Sequence, residues 1–414
     1  MKPANRKNIR PTGEGTVAPL FTRNFTLLLA GQICSLAGNG ILRVVLSLYL
    51  LEKTGSAGLY GGVLALGTAL AVFLSPLGGV LADRLDRRKL MVGLDTASGL
   101  CALAAALGFS FGGGVWLAAG LSVALAVPAA LETPVTQACI PGMHTGENLV
   151  RANAATAQVS ALASLGAPVL GGVLYAAWGM DAALWLIALC FFATAGFECF
   201  LRLVPGAKAG EGPLQALAQA VRFVRAEQPR AGQLLVLGAL ANFFAVGLSA
   251  VGFPYLLRTV LGVSAQVYGL CEGLLGAAAL AGSIAAGVLA GRGANRMQWA
   301  LAGMGLAFLP AFALEWLPGS GAQCVGLVAM FCAGQALASL FSVFALSALG
   351  ACTPPAMTGR VMALTAAAVQ AAQPAGQLLY GVALDTVPGF WVVSATGAAL
   401  AVLAVCFGPT LRRF

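Results

Sequence analysis

The chain has little charge, and it has a single histidine. Only 9% of its 414 residues are Asp, Glu, Lys or Arg, and His144 is the one histidine. A soluble domain carries about 25% charged residues, so this composition argues against a soluble globular protein. One histidine also argues against a histidine metal site and a Ser-His-Asp triad. The ten cysteines are scattered without a Cys-x-x-Cys pair, and we expect them to be small apolar packing residues.

Motifs for nucleotide chemistry are also missing. No Walker-type Gly-Lys-Ser/Thr sequence occurs, and no Gly-x-Gly-x-x-Gly stands before a plausible soluble helix. We therefore expect no ATP hydrolysis, no cofactor and no enzymatic activity. The net charge of +9 does not indicate nucleic acid, because the basic residues lie in short loops and at the termini.

Long apolar runs dominate what the chain does contain. Hydrophobic residues make up 59% of it, and a membrane-spanning helix needs about 20 predominantly apolar residues in a row. The pattern predicts an all-α membrane protein with twelve spans, at 25–51, 60–81, 90–110, 115–136, 154–177, 182–203, 232–257, 264–290, 297–317, 322–349, 360–383 and 388–407.

Positive charge predicts the orientation of these spans. All but three of the 23 Lys and Arg residues lie on one side, and the exceptions are Arg43, Lys53 and Arg258. Cytoplasmic loops carry an excess of Lys and Arg, so both termini are expected to be cytoplasmic and the protein to lie in the plasma membrane. Residues 1–24 are expected to be a tail without a cleavable signal peptide.

The two halves of the chain resemble each other. Residues 79–84 (Gly-Val-Leu-Ala-Asp-Arg) have a near-identical counterpart 208 residues later at 287–292 (Gly-Val-Leu-Ala-Gly-Arg). Duplicated halves are typical of transporters whose site lies between the repeats. We therefore expect a six-helix bundle at 25–203 and a second one at 232–407.

The remaining segments connect or flank the two bundles. The linker 204–231 carries Leu and Val residues at helical spacing opposite three arginines, which predicts an amphipathic helix on the cytoplasmic membrane surface. Residues 408–414 are expected to be a second cytoplasmic tail.

Several stretches resemble one known family. Residues 79–88 resemble the signature loop between spans two and three of the major facilitator superfamily. Residues 24–39 and 134–154 resemble the branch of macrolide-efflux proteins and enterobactin exporters, and 166–172 is similar to the antiporter motif of drug exporters. The resemblance covers essentially residues 20–407. It implies two pseudo-symmetric bundles that rock about a central cavity, and proton-driven export of a small organic molecule.

One position departs from that branch. The branch usually has an aspartate after the glycine of the first span, whereas this chain has Asn39. Asparagine cannot carry a titrating proton. Three explanations stay open: coupling uses another acid, transport is not proton-driven, or the residue is a substitution at a functional carboxylate.

Polar residues inside the spans are costly in lipid, so they mark a pathway or a paired structural site. Arg43 is expected to attract an anionic or carbonyl-rich substrate, or else to reach the outer headgroups. Glu272 is the predicted proton site, with a hydrogen bond or a pairing with Arg43 or Arg258 as the alternative. The uncharged candidates either line the cavity or join helices; they are Gln32, Asn39, Asn242, Gln335, Gln370 and Gln373.

The charged hairpin at 82–89 is the predicted cytoplasmic gate. The resemblance favours a latch of Asp83, Arg87 and Glu132 that rocking breaks and remakes, and a static surface salt bridge is the alternative. The other expected gate residues are Gly79, Arg84, Arg88 and Asp95.

Two further features have a structural expectation. Glu198 and Arg202 are four residues apart, and we expect them to pair as an interfacial anchor. The fifth span is expected to bend or seal the path through Gly166, Pro168, Gly171 and Gly172.

These observations predict a secondary transporter that exports a small amphipathic organic compound, by alternating access and proton antiport. Its expected partners are a small-molecule substrate, protons and membrane lipids, and we expect a monomer. Two alternatives stay open. One is uptake or facilitated diffusion of a metabolite, and the other is a lipid flippase or a non-transporting receptor of the same fold.

Overall fold

The computed structural model describes residues 19–203, 213–289 and 296–411, and these ranges contain helices and no strand. The helices give twelve spans. Their bounds are Arg23–Thr54 (span 1), Ala57–Arg84 (span 2), Arg87–Ser110 (span 3), Val115–Met143 (span 4), Gly146–Cys199 (spans 5 and 6), Pro229–Val260 (span 7), Ala265–Leu289 (span 8), Arg296–Trp316 (span 9), Ser320–Cys352 (span 10), Pro355–Ala371 with Gln373–Thr386 (span 11) and Gly389–Cys406 (span 12).

Ten long helices and two shorter ones make twelve spans. One long helix contains two spans, and the two shorter helices together form span 11. Gly146–Cys199 has 54 residues, and Gly179 within it has φ 73° and ψ −166°, a backbone conformation that favours glycine. Spans 5 and 6 therefore occupy 146–178 and 180–199. Span 11 is interrupted just before Pro374, whose ring removes a backbone donor. The prediction of an all-α membrane protein with twelve spans is confirmed.

Some predicted features lie outside the described residues. They are the tail up to residue 18, linker residues 204–212, residues 290–295 of the second repeat motif, residues 412–414, and the side chain of Asp83.

The described part of the linker forms one helix, Pro213–Ala226. Its buried side chains are Ala220, Phe223 and Val224, and the helix contacts spans 7 and 11. Arg222 lies on the exposed face. The helix is thus amphipathic, and its position on the membrane surface stays a prediction.

The helices pack as two groups that follow the chain order. In the first half, span 1 packs on the helix of spans 5 and 6, and span 2 packs on span 4. In the second half, span 10 packs on spans 8 and 9, and span 9 packs on span 12. Large apolar side chains face outward, as lipid contact requires, and examples are Phe73, Trp116 and Trp299.

Two crossings join the halves, and the sequence repeat makes them equivalent. Span 2 crosses span 11, and span 5 crosses span 8. We call the end of the spans that carries the 82–89 hairpin the inner end, and the opposite end the outer end.

Glycines allow both crossings. A Cβ on Gly61 would lie 2.6 Å from the Gln377 carbonyl oxygen and 3.1 Å from the Gly381 Cα. A Cβ on Gly172 would lie 3.0 Å from the Gly269 Cα. Only residues without a side chain let two helix backbones approach so closely.

Candidate functional site

A cavity with two lobes lies between the halves, and Gln370 of span 11 lines both lobes. Each lobe has a volume of 460 Å³. We call the lobe formed by spans 1, 2 and 4 the N lobe, and the lobe formed by spans 7, 9, 10 and 11 the C lobe. Pockets of this size accommodate organic molecules.

The two lobes differ in chemistry. The N lobe is polar in part, through Asn39, Arg43, Tyr60, Thr68, Ser75, Ser122 and Thr133. The C lobe is lined mainly by aliphatic residues, methionines and Phe341, with Asn242 among its few polar groups. Asn242 begins a π-helical segment, Asn242–Val246, and accepts a hydrogen bond from Gln373 Nε2 at 3.1 Å. Such π segments are frequent at functional sites.

The predicted cavity residues therefore lie in different parts of the cavity. Asn39 and Arg43 line the N lobe, Asn242 lines the C lobe, and Gln370 lines both. Gln335 is not among the lining residues of either lobe. Gln32 lines a smaller side cavity described below. The substrate or coupling roles of these residues stay predictions.

The predicted proton site, Glu272, takes part in a contact across the outer part of the cavity. Arg43 Nη2 of span 1 lies 3.9 Å from Glu272 Oε2 of span 8. Tyr268 donates to Glu272 Oε1 at 3.0 Å, and Tyr268 also lies 3.2 Å from the hydroxyl of Ser47. The structure thus shows the pairing of Glu272 with Arg43 that the sequence left as an alternative.

A second ion pair lies nearer the outer end. Arg258 Nη2 of span 7 donates to Glu52 Oε2 at 3.1 Å, and Tyr175 donates to the same oxygen at 3.1 Å. This cluster joins spans 1, 5 and 7.

Asp385 forms a third outer contact that the sequence analysis missed. Its carboxylate accepts from the backbone N–H groups of Ala57 at 2.7 Å and Gly58 at 2.9 Å, and from the Ser56 hydroxyl at 2.7 Å. A carboxylate is favourable at a helix N-terminus, where backbone donors lack partners. Asp385 of the second half therefore caps span 2 of the first half.

The inner ends look different. A Cβ on Gly79 of span 2, Gly287 of span 8 or Gly359 of span 11 would meet nothing within 4 Å. Arg87 donates to the carbonyls of Ala82 and Ala138, which belong to its own half. Among the described residues, the halves touch tightly at the outer end, and no such close contact occurs at these inner-end positions. The cavity is therefore closed on the outer side and open toward the inner end.

The remaining predicted gate residues have separate positions. Arg84 is exposed and Arg88 is partly buried. Asp95 and Glu132 lie inside the first bundle, near Glu198. The gate roles of these residues, and the role of Glu132 in a latch with Asp83 and Arg87, stay predictions.

The buried carboxyl groups form a cluster at the side cavity. Glu132 accepts a hydrogen bond from Ser35 at 3.2 Å. Asp95 is 0% exposed, and its carboxyl group lies within hydrogen-bonding reach of that of Glu198, which is 3% exposed. Glu132 and Glu198 line the side cavity, and Asp95 is not among its lining residues.

The expectation for Glu198 was wrong. The helix ends at Cys199, so Arg202 is not one helical turn away from Glu198, and the helical geometry that makes residues four apart neighbours is lost. Arg202 is exposed, whereas Glu198 points into the bundle.

The glycine and proline run of span 5 lies at the crossing with span 8. Pro168 is buried within the helix, and Gly171 packs on Ile41 and Val44 of span 1. Gly172 faces span 8, while a Cβ on Gly166 would meet open space. This placement supports a packing contact, and the bending or sealing role stays a prediction.

Comparison with known families decides the class of protein. A family profile described as Major Facilitator Superfamily matches residues 28–377. The chain belongs to the Major Facilitator Superfamily. Membership confirms the family predicted from the sequence and describes a multi-pass membrane transporter.

Relatives within the superfamily carry export names. Macrolide efflux protein A of Streptococcus pyogenes is 29% identical over 161 residues, which span 38% of this chain and only 39% of that protein. Enterobactin exporter EntS of Citrobacter koseri is 28% identical over an alignment covering 94% of this chain and 93% of the exporter. These names belong to the branch that the sequence resembles.

Solved structures agree on the fold. A mutant of the nucleoside transporter NupG has a TM-score of 0.74 at 13% identity, covering 93% of this chain and 99% of NupG. A bacterial homologue of the iron transporter ferroportin, in its inward-facing state, has a TM-score of 0.65 at 19% identity, covering 93% of this chain and 98% of that protein. At these identities the likeness shows the superfamily fold alone.

Proposed function

We propose that this protein is a secondary transporter that exports a small amphipathic organic compound in exchange for protons. The single observation that carries the proposal is the cavity between the repeats, closed at the outer end and open at the inner end. An exporter loads its substrate from the cytoplasm, which is the side that the inner end faces in our proposed orientation. The protein works as a monomer with both termini in the cytoplasm.

The lining indicates the chemistry of the substrate. The C lobe offers an aliphatic and aromatic wall, whereas the N lobe offers Arg43, whose side chain is 61% exposed, together with Asn39. A molecule with one apolar face and one face rich in carbonyl, phenol or carboxylate oxygens matches both walls. The export names of the relatives support this class of compound.

Alternating access requires the two halves to exchange their contacts at the outer end for contacts at the inner end. In the observed state, the crossings of span 2 with span 11 and of span 5 with span 8 hold the outer end closed. To release substrate outward, the halves must separate at these crossings and meet at the inner end. The hairpin at 82–89 and its repeat counterpart would then approach the opposite half.

The test is transport by the purified chain in proteoliposomes, with a radiolabelled macrolide and enterobactin as probes. With an acidic lumen, we expect probe to accumulate in the lumen through carriers whose inner end faces the bath. Accumulation on the alkaline side would identify an uptake symporter and contradict export. Binding without flux under either gradient would identify a receptor, and movement of labelled lipid alone would identify a flippase.

A further inference from the structure

We propose that Asp95, Glu132 and Glu198 form a shared proton site in the first half, and that this site couples proton binding to the substrate cavity. The inference rests on the proposed transport function and deepens it. The sequence singled out Glu272 for this role. The structure instead gives Glu272 a cation partner, while the three carboxyl groups lack one among the described residues.

The cluster is buried and lacks donors. Asp95 is 0% exposed, and neither of its carboxyl oxygens has a hydrogen-bond donor in the described part of the chain. The same holds for Glu198 Oε2. Asp95 lies on span 3, Glu132 on span 4 and Glu198 on span 6, so the three groups converge from three helices. An unpartnered ionised carboxylate inside a membrane bundle is expensive.

Within the described ranges, no basic side chain forms an ion pair with these three acids to compensate their negative charge. Span 4 adds Cys139, span 6 adds Cys199, and spans 1 and 5 contribute only neutral polar groups such as Ser35 and Thr156. Arg87, at the start of span 3, donates hydrogen bonds to the backbone carbonyls of Ala82 and Ala138. Adjacent carboxylates in such surroundings cannot all ionise, so at least one of the three carries a proton.

A proton fits this cluster better than a metal ion. Among the residues that the structure describes, no group of three or more His, Cys, Asp and Glu residues is arranged to hold a metal. Two facing carboxyl groups need only one shared hydrogen to satisfy each other, because the protonated group becomes a donor.

A path for exchange and for coupling is present. The side cavity has a volume of 230 Å³ and is lined by Glu132 and Glu198, and Asn39 lines both this cavity and the N lobe. Asn39 Nδ2 donates to Ser35 Oγ at 3.3 Å, and Ser35 Oγ donates to Glu132 Oε1 at 3.2 Å. Asn39, which carries no proton itself, thus connects the N lobe to the acids.

The chain of hydrogen bonds explains competition between substrate and proton. A charged Glu132 is a strong acceptor and holds Ser35 and Asn39 in their present positions. Proton binding to Glu132 weakens that bond and lets the Ser35 hydroxyl turn, so that Asn39 keeps only its hydrogen bond to the Ser35 backbone carbonyl at 3.0 Å and its amide group can shift. A substrate that needs Asn39 in its present position therefore binds best when Glu132 is ionised, which is the reciprocity that antiport requires.

The first test needs no substrate. Difference infrared spectroscopy of the full chain in detergent measures protonated carboxyl groups as a function of pH. We expect a protonated-carboxyl band that titrates in the parent chain and is reduced in Asp95→Asn, Glu132→Gln and Glu198→Gln. The matched control is Glu147→Gln on the exposed pair with Arg151, which should keep the band. An unchanged band in all three cluster variants overturns the proposal, as does a band that Na⁺ or a divalent cation displaces at fixed pH.

The second test separates coupling from transport. In proteoliposomes with a radiolabelled macrolide, counterflow exchanges labelled for unlabelled probe without net proton movement. We expect Asp95→Asn and Glu198→Gln to keep counterflow and to lose roughly 5- to 150-fold of the accumulation driven by a pH gradient. Glu132→Gln removes the charge that holds Ser35 and Asn39, so we expect it to lower counterflow as well. Variants that respond to the gradient like the parent chain overturn the proton site. A parent chain without counterflow refutes the proposed function, and the infrared titration then decides the proton assignment alone.

Discussion

Polar contacts join the two halves at the outer end of the molecule, whereas at the inner end they stay within one half. At the outer end, Arg43, Arg258 and Asp385 each contact the other half, through Glu272, Glu52 and the start of span 2. At the inner end, Arg87 and the three buried acids contact their own half. The outer contacts therefore hold the observed conformation, whereas the inner acids, in our proposal, exchange protons without breaking a contact between the halves.

The largest effect is expected at the crossing of spans 2 and 11. Gly61→Leu places a side chain where a Cβ alone would lie 2.6 Å from a backbone oxygen. Overpacking costs about 1–3 kcal/mol, which shifts the ratio of outer-closed to outer-open states by roughly 5- to 150-fold. Hydrogen–deuterium exchange at the outer ends should rise and transport should fall.

The neighbouring glycine provides the matched control. A Cβ on Gly62 would meet nothing within 4 Å, so Gly62→Leu should leave both exchange and transport close to the parent values. Equal effects of the two variants would contradict the close crossing.

Removal of substrate contacts should have the next largest effect. Arg43→Gln deletes the cation of the N lobe, and hydrogen bonds to charged groups are worth about 1.5–3 kcal/mol. We expect the apparent affinity for an anionic or oxygen-rich probe to fall roughly tenfold or more, while Arg43→Lys retains part of it. The measurement is equilibrium binding to the purified protein, and unchanged binding by Arg43→Gln would exclude Arg43 from the site.

A smaller effect is expected at the cap of span 2. Asp385→Asn weakens three hydrogen bonds to Ser56, Ala57 and Gly58, and loss of an N-cap costs about 0.5–2 kcal/mol. The amides of Ala57 and Gly58 should exchange faster, and the outer end should open more often. Asp181→Asn, at an exposed position near the start of span 6, is the control and should change neither.

The smallest effect is expected at a helix cap of the inner end that lies within one half and makes no contact with the other. Asp86 accepts from the backbone N–H groups of Arg88 and Lys89 at the start of span 3. Asp86→Ala should lower stability by about 1 kcal/mol without changing amide exchange at the outer end. Faster exchange at Ala57 in this variant would mean that the two ends are not independent.

The architecture was predictable because it depends on properties that act along the chain. Apolar length predicts the spans, and the repeat at 79–84 and 287–292 predicts two halves. The orientation that the basic residues predict stays a prediction. The structure and the family match confirm the twelve-span fold.

The contacts between helices were harder to predict from the sequence. Asp385 looks like an ordinary loop acid until span 2 is placed beside it. Asp95 and Glu198 are 103 residues apart, so no local spacing brings them together. Glu198 and Arg202 satisfied the spacing for a helical pair, but the helix ends between them. Asn39 was recognised as a special position, although its bond to Ser35, and from there to Glu132, required the packed bundle.

The most direct test of the account measures both ends at once. Pulsed electron spin resonance gives distances between spin labels at Lys53 and Thr386 for the outer end, and at Leu85 and Gly359 for the inner end, all exposed positions. Alternating access predicts reciprocal changes when pH or probe shifts the conformation, with the outer distance lengthening as the inner distance shortens. Transport accompanied by two fixed distances, or by two distances that change in the same direction, would contradict it.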